Sequence, residues 1–394
     1  MFIEIILFLI LGILAGTFAG LLPGIHINLI GAILVSVSPT ILSSVNATSL
    51  VAFVVAMAIS QTFVDFIPSI FLGCPDTDTE LSVLPGHEML KNGEGYQAIL
   101  LTCYGGLAAI AILILFSFPT ILIIPKIYNF LETFIPYLLI AIVILLISFE
   151  KNKFSSLVVV LLSGFLGLCV LNIEIKEPLL PLLTGLFGSS TLILSIKNKT
   201  KLMKQKITKP KVNIFKPLIG TLIASPLCGF LPGLGSGQAA IIGNMISKTD
   251  RKGFLVMLGA TNTLVMSLSF IALYAISKTR TGAAVAIQKI GGNISLNLLI
   301  LIITIIVISG VISFFLTISL AKFFSQKITR VNYSLLSIIT IIFISIIVLV
   351  ISGILGFTVL VISTLTGIYC ISLKVRRTNM MGCLLIPTII LYLF

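Results

Sequence analysis

Asp65 lies at the end of an uncharged run, residues 5–64, with Gln61, Thr62 and Pro68 around it. A carboxylate in such surroundings is expensive unless it faces a cavity, meets a partner or binds a cation or proton. Its chemistry is therefore that of an ion- or proton-responsive charge. The plainer alternative is an acid near a helix end reaching toward water, since a polar stretch follows Gly73. Just upstream, Ser60, Gln61 and Thr62 offer hydroxyls and an amide, and Thr261, Asn262 and Thr263 offer a similar set in the second half. These groups are poor against lipid and good for coordinating Na⁺ or a carboxylate-bearing solute; hydrogen bonding between helices is their competing use.

Two further places are chemically suggestive. In GTFAGLLPGIHIN (16–28), glycines four apart permit close helix approach, and Pro23 should end one helix near Leu22 and let another begin near Gly24 or Ile25. Gly20, Pro23, Gly24, His26 and Asn28 are the candidate ligands there. In GFLPGLGSGQ (229–238) the candidates are Gly229, Pro232, Gly233, Gly235, Ser236, Gly237 and Gln238. A broken helix presents backbone N–H groups to an anion at one new end and carbonyls to Na⁺ at the other. Tight packing at a kink would need the glycines and prolines but not the neighbouring His26, Asn28, Ser236 and Gln238. The GxGxG here lacks the strand and acid of a dinucleotide fingerprint.

Covalent chemistry finds little support. Neither Ser225 nor Ser236 has a visible base beside it, and no catalytic or metal site is expected. His26 and His87 each follow a Pro-Gly pair and could couple transport to protons, but a metal needs more convincing ligands. Asp76, Asp78, Glu80, His87, Glu88 and Glu94 cluster within 73–96, in a Gly/Pro context that reads as a solvated loop rather than a cage. The six cysteines are scattered without a CxxC and read as small buried hydrophobes.

The elements that position these residues follow from composition. Of 394 residues, 58% are hydrophobic and only 9% charged, against roughly a quarter charged in soluble domains. The bilayer is the solvent. Disorder, nucleic-acid recognition and a disulfide scaffold are excluded as classes. The formal charge of +13 is uneven: residues 1–200 hold 7 basic and 11 acidic groups, residues 201–394 hold 18 and 1. Eight lysines fall in 197–216, which reads as a cytoplasmic connector attracted to anionic lipid. The opening MFIEIILFL has no basic n-region and should remain as a helix.

Apolar segments near 2–20, 25–44, 48–72, 97–118, 120–149, 154–172, 179–196, 217–245, 253–276, 293–320, 331–350, 353–373 and 379–394 give an all-α, polytopic integral membrane protein with about 10–13 membrane segments. Pro/Gly-broken or re-entrant helices are expected within it, where protein or a wet cavity satisfies the backbone. The connector divides the chain into 1–196 and 217–394, and the halves repeat. Leu22-Pro23-Gly24 matches Leu231-Pro232-Gly233 at an offset of 209, Ser60-Gln61-Thr62 matches Thr261-Asn262-Thr263 at 201, and Thr77 and Thr79 match Thr279 and Thr281 at 202.

The paired GxLPG elements, the Ser-Gln-Thr segment and LPGHEMLKNGEG (84–95) resemble the large membrane subunit of the tripartite tricarboxylate transporters, TctA-like, especially its archaeal homologues of unassigned substrate. The resemblance covers nearly the whole chain. It implies a permease driven by an ion gradient, working in bacteria with a small membrane subunit and a periplasmic solute-binding protein. It places Gly20, Leu22, Pro23 and Gly24 in a first signature, Gly229, Pro232, Gly233, Gly235 and Gly237 in a second, and Pro85, Gly86 and His87 in a connecting segment. Two departures, PGIHIN with His26 in place of a glycine and the run AAIIGNM after the second signature, bear on the substrate more than on the fold.

The expectation is a multi-pass secondary active permease of the cell membrane for a small organic anion such as a di- or tricarboxylate. It would be coupled to H⁺ or Na⁺ and need no cofactor. Small organic anions and membrane lipid are its expected partners, nucleic acid is not, and homo-oligomeric assembly is compatible with this reading. A membrane enzyme acting on a lipid-linked substrate and a non-transporting assembly protein are the alternatives.

Overall fold

The structure, a computed structural model, describes residues 2–22, 45–73, 79–197, 203–230, 235–292, 294–328 and 333–393. Among these residues there are helices and no strands. The chain is an all-α, polytopic membrane protein. Among the described residues, seven helices are long and apolar enough to cross a bilayer: Phe2–Leu21, Ala47–Phe71, Gly95–Lys126, Lys153–Leu171, Arg251–Ile276, Leu296–Ile328 and Ser337–Ser372. Shorter apolar helices cover Pro136–Ser148, Leu179–Leu194, Phe215–Gly229 and Arg377–Leu393. The segment expected at 25–44 lies outside the described residues.

In chain order the elements are α1 (Phe2–Leu21), α2 (Ala47–Val64), α3 (Phe66–Phe71), α4 (Val83–Lys91), α5 (Gly95–Ser148), α6 (Lys153–Leu171), α7 (Leu179–Leu183), α8 (Ser190–Lys197), α9 (Phe215–Phe230), α10 (Ser236–Ser247), α11 (Arg251–Ile276), α12 (Gly282–Gly291), α13 (Leu296–Ile328), α14 (Tyr333–Ser372) and α15 (Gly382–Leu393). A π-helical turn, Thr184–Ser189, joins α7 to α8. The break expected near residue 119 differs: α5 stays helical through Pro119, Pro125 and Pro136. At about 1.5 Å per residue it far exceeds the bilayer's roughly 30 Å, so it cannot lie wholly within one crossing. The division expected near residue 351 is present as a kink at Gly353 in α14, where φ is 69°.

Two spans form the centre. In Ala47–Phe71 and Arg251–Ile276, 94% of the most apolar window is buried, against 22–39% in the other five. A helix apolar on all faces must be enclosed by protein or lipid; these two are enclosed by protein. Around them, the shared apolarity of lipid and side chains leaves close backbone packing as the main discriminating force. Gly12, Gly16 and Gly20 of α1 face Phe53, Met57 and Val64 in that order, so α1 and α2 run parallel along a glycine seam. On the other side α11 is keyed into α5: a methyl on Gly105 would lie 2.0 Å from Val256 O, and one on Gly259 2.0 Å from Thr102 O. The pairing is exchanged between the sequence halves, because α2 packs on α13 while α11 packs on α5.

The short helices α9 and α10 lie against each other and against α11, with Gly220 close to Gly243. Their 16 and 12 residues span about 24 and 18 Å, short of the bilayer's roughly 30 Å hydrocarbon layer. α9 ends at Phe230 and α10 begins at Ser236.

Beyond its basic face the connector is a docked strap. Gln205 is buried: its Oε1 accepts from Gly95 N at 2.8 Å and its Nε2 donates to Leu90 O at 2.9 Å, while Lys206 N donates to Gly93 O at 2.7 Å. Lys204, Lys206, Lys209 and Lys211 around it are exposed. Gln205→Ala strands a buried N–H and a buried carbonyl, at about 1–3 kcal/mol each. Trypsin is expected to cut the variant at these lysines markedly faster than the parent; equal cleavage rates would show that Gln205 does not hold the strap.

Candidate functional site

The site grows from the point where α2 stops. Pro68 has no N–H to offer Val64, so the helix cannot continue regularly past that turn. Asp65 sits at the resulting junction of α2 and α3, with its N–H on Gln61 O at 3.0 Å. Its side chain is 6% exposed. Ser69 donates its hydroxyl to Asp65 O at 2.8 Å, satisfying a carbonyl at the break.

Across from it, α11 presents Asn262. Its Nδ2 donates to Asp65 Oδ2 at 3.0 Å and to Thr62 O at 3.3 Å. Beside this contact the Thr62 and Thr263 hydroxyls are 3.1 Å apart. Thr62 Oγ1 already donates to Ile59 O at 2.8 Å. A hydroxyl has one proton, so Thr263 is the donor between them. Residues 201 positions apart therefore meet side chain to side chain at the centre of the fold. Two residues before Thr62, Ser60 accepts from Ser313 of α13 at 2.8 Å.

The structure brings together Thr62, Asp65, Asn262 and Thr263, while Ser60 of the same helix meets Ser313 instead. Gln61 is buried next to them. Thr261 is turned inward on its own helix, donating to Leu258 O at 3.1 Å. Gly20 lets α1 end against this centre: a methyl there would lie 2.9 Å from Val64 Cβ and 3.2 Å from Asp65 N. Gly229 is placed against Leu268 of α11. Gly235, Ser236, Gly237 and Gln238 form the start of α10, where Gln238 Oε1 accepts from Gly235 N at 2.7 Å. This bond caps the helix, so the carbonyl of Gln238 is committed to structure. Pro23, Gly24, His26, Asn28, Pro232 and Gly233 lie outside the described residues.

Sequence reasoning missed Ser313, although Ser309, Ser313 and Thr317 recur every fourth residue on one buried face of α13. It also missed Ser69 and Ser269. Ser69 bonds Thr79 at 2.6 Å and Ser269 bonds Thr281 at 3.0 Å. The acidic cluster is not gathered as one group among its described members: Glu88 pairs with Arg251 at 2.5 Å and Glu94 with Lys252 at 3.9 Å.

His87 corrects another expectation. Burial, then the Lys91 charge and, more weakly, Arg377 push its pKa down to about 4, against the opposing pull of Ile70 O. That shift favours the neutral imidazole at physiological pH and works against a proton-coupling role for His87. Because the unfolded chain titrates near 6.5, the native state binds fewer protons below that pH, and stability is lost as pH falls from about 6.5 toward 4. The loss amounts to about 3 kcal/mol at the acid end. His87→Gln should flatten the dependence of the unfolding midpoint on pH between 7 and 5; an unchanged slope would assign the acid lability elsewhere.

The chain matches the tripartite tricarboxylate transporter TctA family over residues 6–382. It belongs to that family. An uncharacterized protein of the archaeon Methanocaldococcus jannaschii is 34% identical over 356 residues, covering 87% of this chain and 88% of its own length. No solved structure matches the chain. TctA proteins are membrane transport proteins rather than enzymes, and the buried polar centre described above lies within such a permease. Family members act on small-molecule substrates together with accessory components, and the polytopic helical fold places this TctA protein in the cell membrane as a multi-pass permease.

Proposed function

We propose that the chain is a secondary active permease for a small organic anion such as a di- or tricarboxylate, coupled to H⁺ or Na⁺ through Asp65. The observation that carries this reading is the buried Asp65–Asn262 contact between the two most enclosed spans, one from each sequence half. An ionised carboxylate there is costly without a cation, a proton or donors. Binding and release of an ion at Asp65 would change the charge at the centre of the contact, a natural bias between two packings.

The candidate ligands are Ser60, Gln61, Thr62, Asp65, Asn262 and Thr263, with Thr261 as a reserve on the same helix. The two breaks would supply backbone: Gly20, Pro23, Gly24, His26 and Asn28 from the first, and Gly229, Pro232, Gly233, Gly235, Ser236, Gly237 and Gln238 from the second. In this reading α9 and α10 form a re-entrant hairpin whose tip is the second break. Segments 1–196 and 217–394 are related halves. That relation is supported by the Thr62–Thr263 pair and by the matched Ser69–Thr79 and Ser269–Thr281 bonds. Alternating access would then come from one half rocking against the other. The connector, with its exposed lysines, lies on the cytoplasmic side. A small membrane subunit and an extracellular solute-binding protein are its proposed accessory components.

The test is a screen of radiolabelled mono-, di- and tricarboxylates in sealed proteoliposomes. Saturable uptake of at least one is expected. Chemical transformation of a solute by the detergent-solubilised protein without any gradient would instead require an enzyme.

A further inference from the structure

On the connector's side of the fold a second cluster collects around Gly73, at the far end of the short helix α3 that begins after Asp65. Gly73 has φ +66, and a methyl there would lie 3.5 Å from Thr191 Cγ2 and 3.8 Å from the His87 ring. His87 and Lys91 stand one turn apart on α4, so both side chains project from one face. Arg377 reaches in from the turn before α15 and donates from Nη1 to Thr191 Oγ1. Thr191 in turn donates to Phe187 O within the π-helical turn. The guanidinium is thus held by a hydroxyl that is itself fixed.

Among the described residues, no carboxylate lies within ion-pairing distance of Lys91 or Arg377. Among the described residues, Glu88 is the acid whose charge both cations feel, and it is paired with Arg251 at 2.5 Å. Burial and the neighbouring Arg377 charge hold Lys91 below its usual value, while burial brings Arg377 down to about 10. A guanidinium has five donors, and a single hydroxyl accepts from Arg377 among the described residues. Two partly buried cations without an ion-pair partner among the described residues are costly, and an arriving anion lowers that cost.

The geometry points to an anion-binding site formed by Arg377 and Lys91, positioned by Thr191 and walled by His87, that takes a carboxylate group of the transported solute on the connector's side of the membrane. The assignment rests on the organic-anion reading above. The arginine fork matches a carboxylate in two parallel bonds and Lys91 adds a point charge. His87, neutral and turned with Nδ1 toward Ile70 O at 3.3 Å, is a wall rather than a ligand. The site lies one short helix away from Asp65.

The test measures the unfolding midpoint of the purified full-length protein in detergent against citrate, succinate and inorganic phosphate at constant ionic strength. Wild type should show a saturable rise with at least one carboxylate. Arg377→Gln should raise the half-saturating concentration roughly tenfold or more, Lys91→Gln should raise it too, and Arg377→Lys should recover part of the loss. The absence of any carboxylate-dependent rise in wild type overturns the site. So does a half-saturation unchanged in both Gln variants, and so does a response to phosphate alone. Failure of the permease reading is seen separately: absent uptake in proteoliposomes with this binding intact counts against transport and leaves the site standing.

Discussion

Asp65→Asn is expected to lower gradient-driven uptake by roughly 10- to 100-fold, the scale of a lost charge-assisted interaction, while leaving the protein folded. Asparagine matches aspartate in size and keeps an oxygen for Asn262 Nδ2, now 3.0 Å from Asp65 Oδ2. It cannot take up a proton or offer a charge to a cation. Because the site sits at 6% exposure between two enclosed helices, water cannot substitute for that charge. The expected pattern is loss of the response to imposed ion gradients with unchanged helical content and unchanged detergent behaviour. Uptake equal to wild type, still gradient-dependent, would remove Asp65 from ion coupling.

Gly259→Ala is expected to be the most damaging single-methyl change in the core. The added carbon would stand 2.0 Å from Thr102 O and 2.6 Å from Thr102 C, both backbone atoms of α5. Side chains can turn aside but a helix backbone cannot, so α5 and α11 must separate along the seam that Gly105 shares. Overpacking of this kind costs about 1–3 kcal/mol and occasionally more. The displaced helix carries Asn262 and Thr263 one turn on, so binding at the centre should weaken with stability. Gly291→Ala is the contrast: its methyl meets nothing closer than 3.5 Å, and it should leave the unfolding midpoint within a degree or two of wild type. Equal midpoints for Gly259→Ala and Gly291→Ala would mean that the α5–α11 seam is not held as close as described.

These two residues also show what the sequence can and cannot disclose. Asp65 was legible because a carboxylate stands out against apolar sequence, and the Ser60–Thr62 and Thr261–Thr263 segments were legible because the same residue types recur 201 positions apart. Their direct contact was not, since period and spacing say nothing about which helices are neighbours. Gly16 and Gly20 announced a close seam by their four-residue spacing, whereas Gly105 and Gly259 each stand where only the partner backbone makes glycine necessary. Ser313 escaped for the same reason: a serine in an apolar helix bonds to its own backbone as readily as to a neighbour, and only the position of α2 decides. For His87 the ordinary pKa invites a proton-coupling role, whereas burial and the approach of Lys91 and Arg377 from separate elements, which sequence spacing does not reveal, push its pKa down. The connector was legible as basic but not as docked, because Gln205 is a single amide among lysines.

Concentrative uptake decides whether the Asp65–Asn262 centre carries an organic anion together with a coupling ion. Sealed proteoliposomes are loaded with an imposed Na⁺ or proton gradient, and the internal concentration of a labelled di- or tricarboxylate is followed. Accumulation above the external concentration is expected, collapsing when both gradients are dissipated and absent in Asp65→Asn. Uptake that merely equilibrates, indifferent to either gradient and to that substitution, would contradict it.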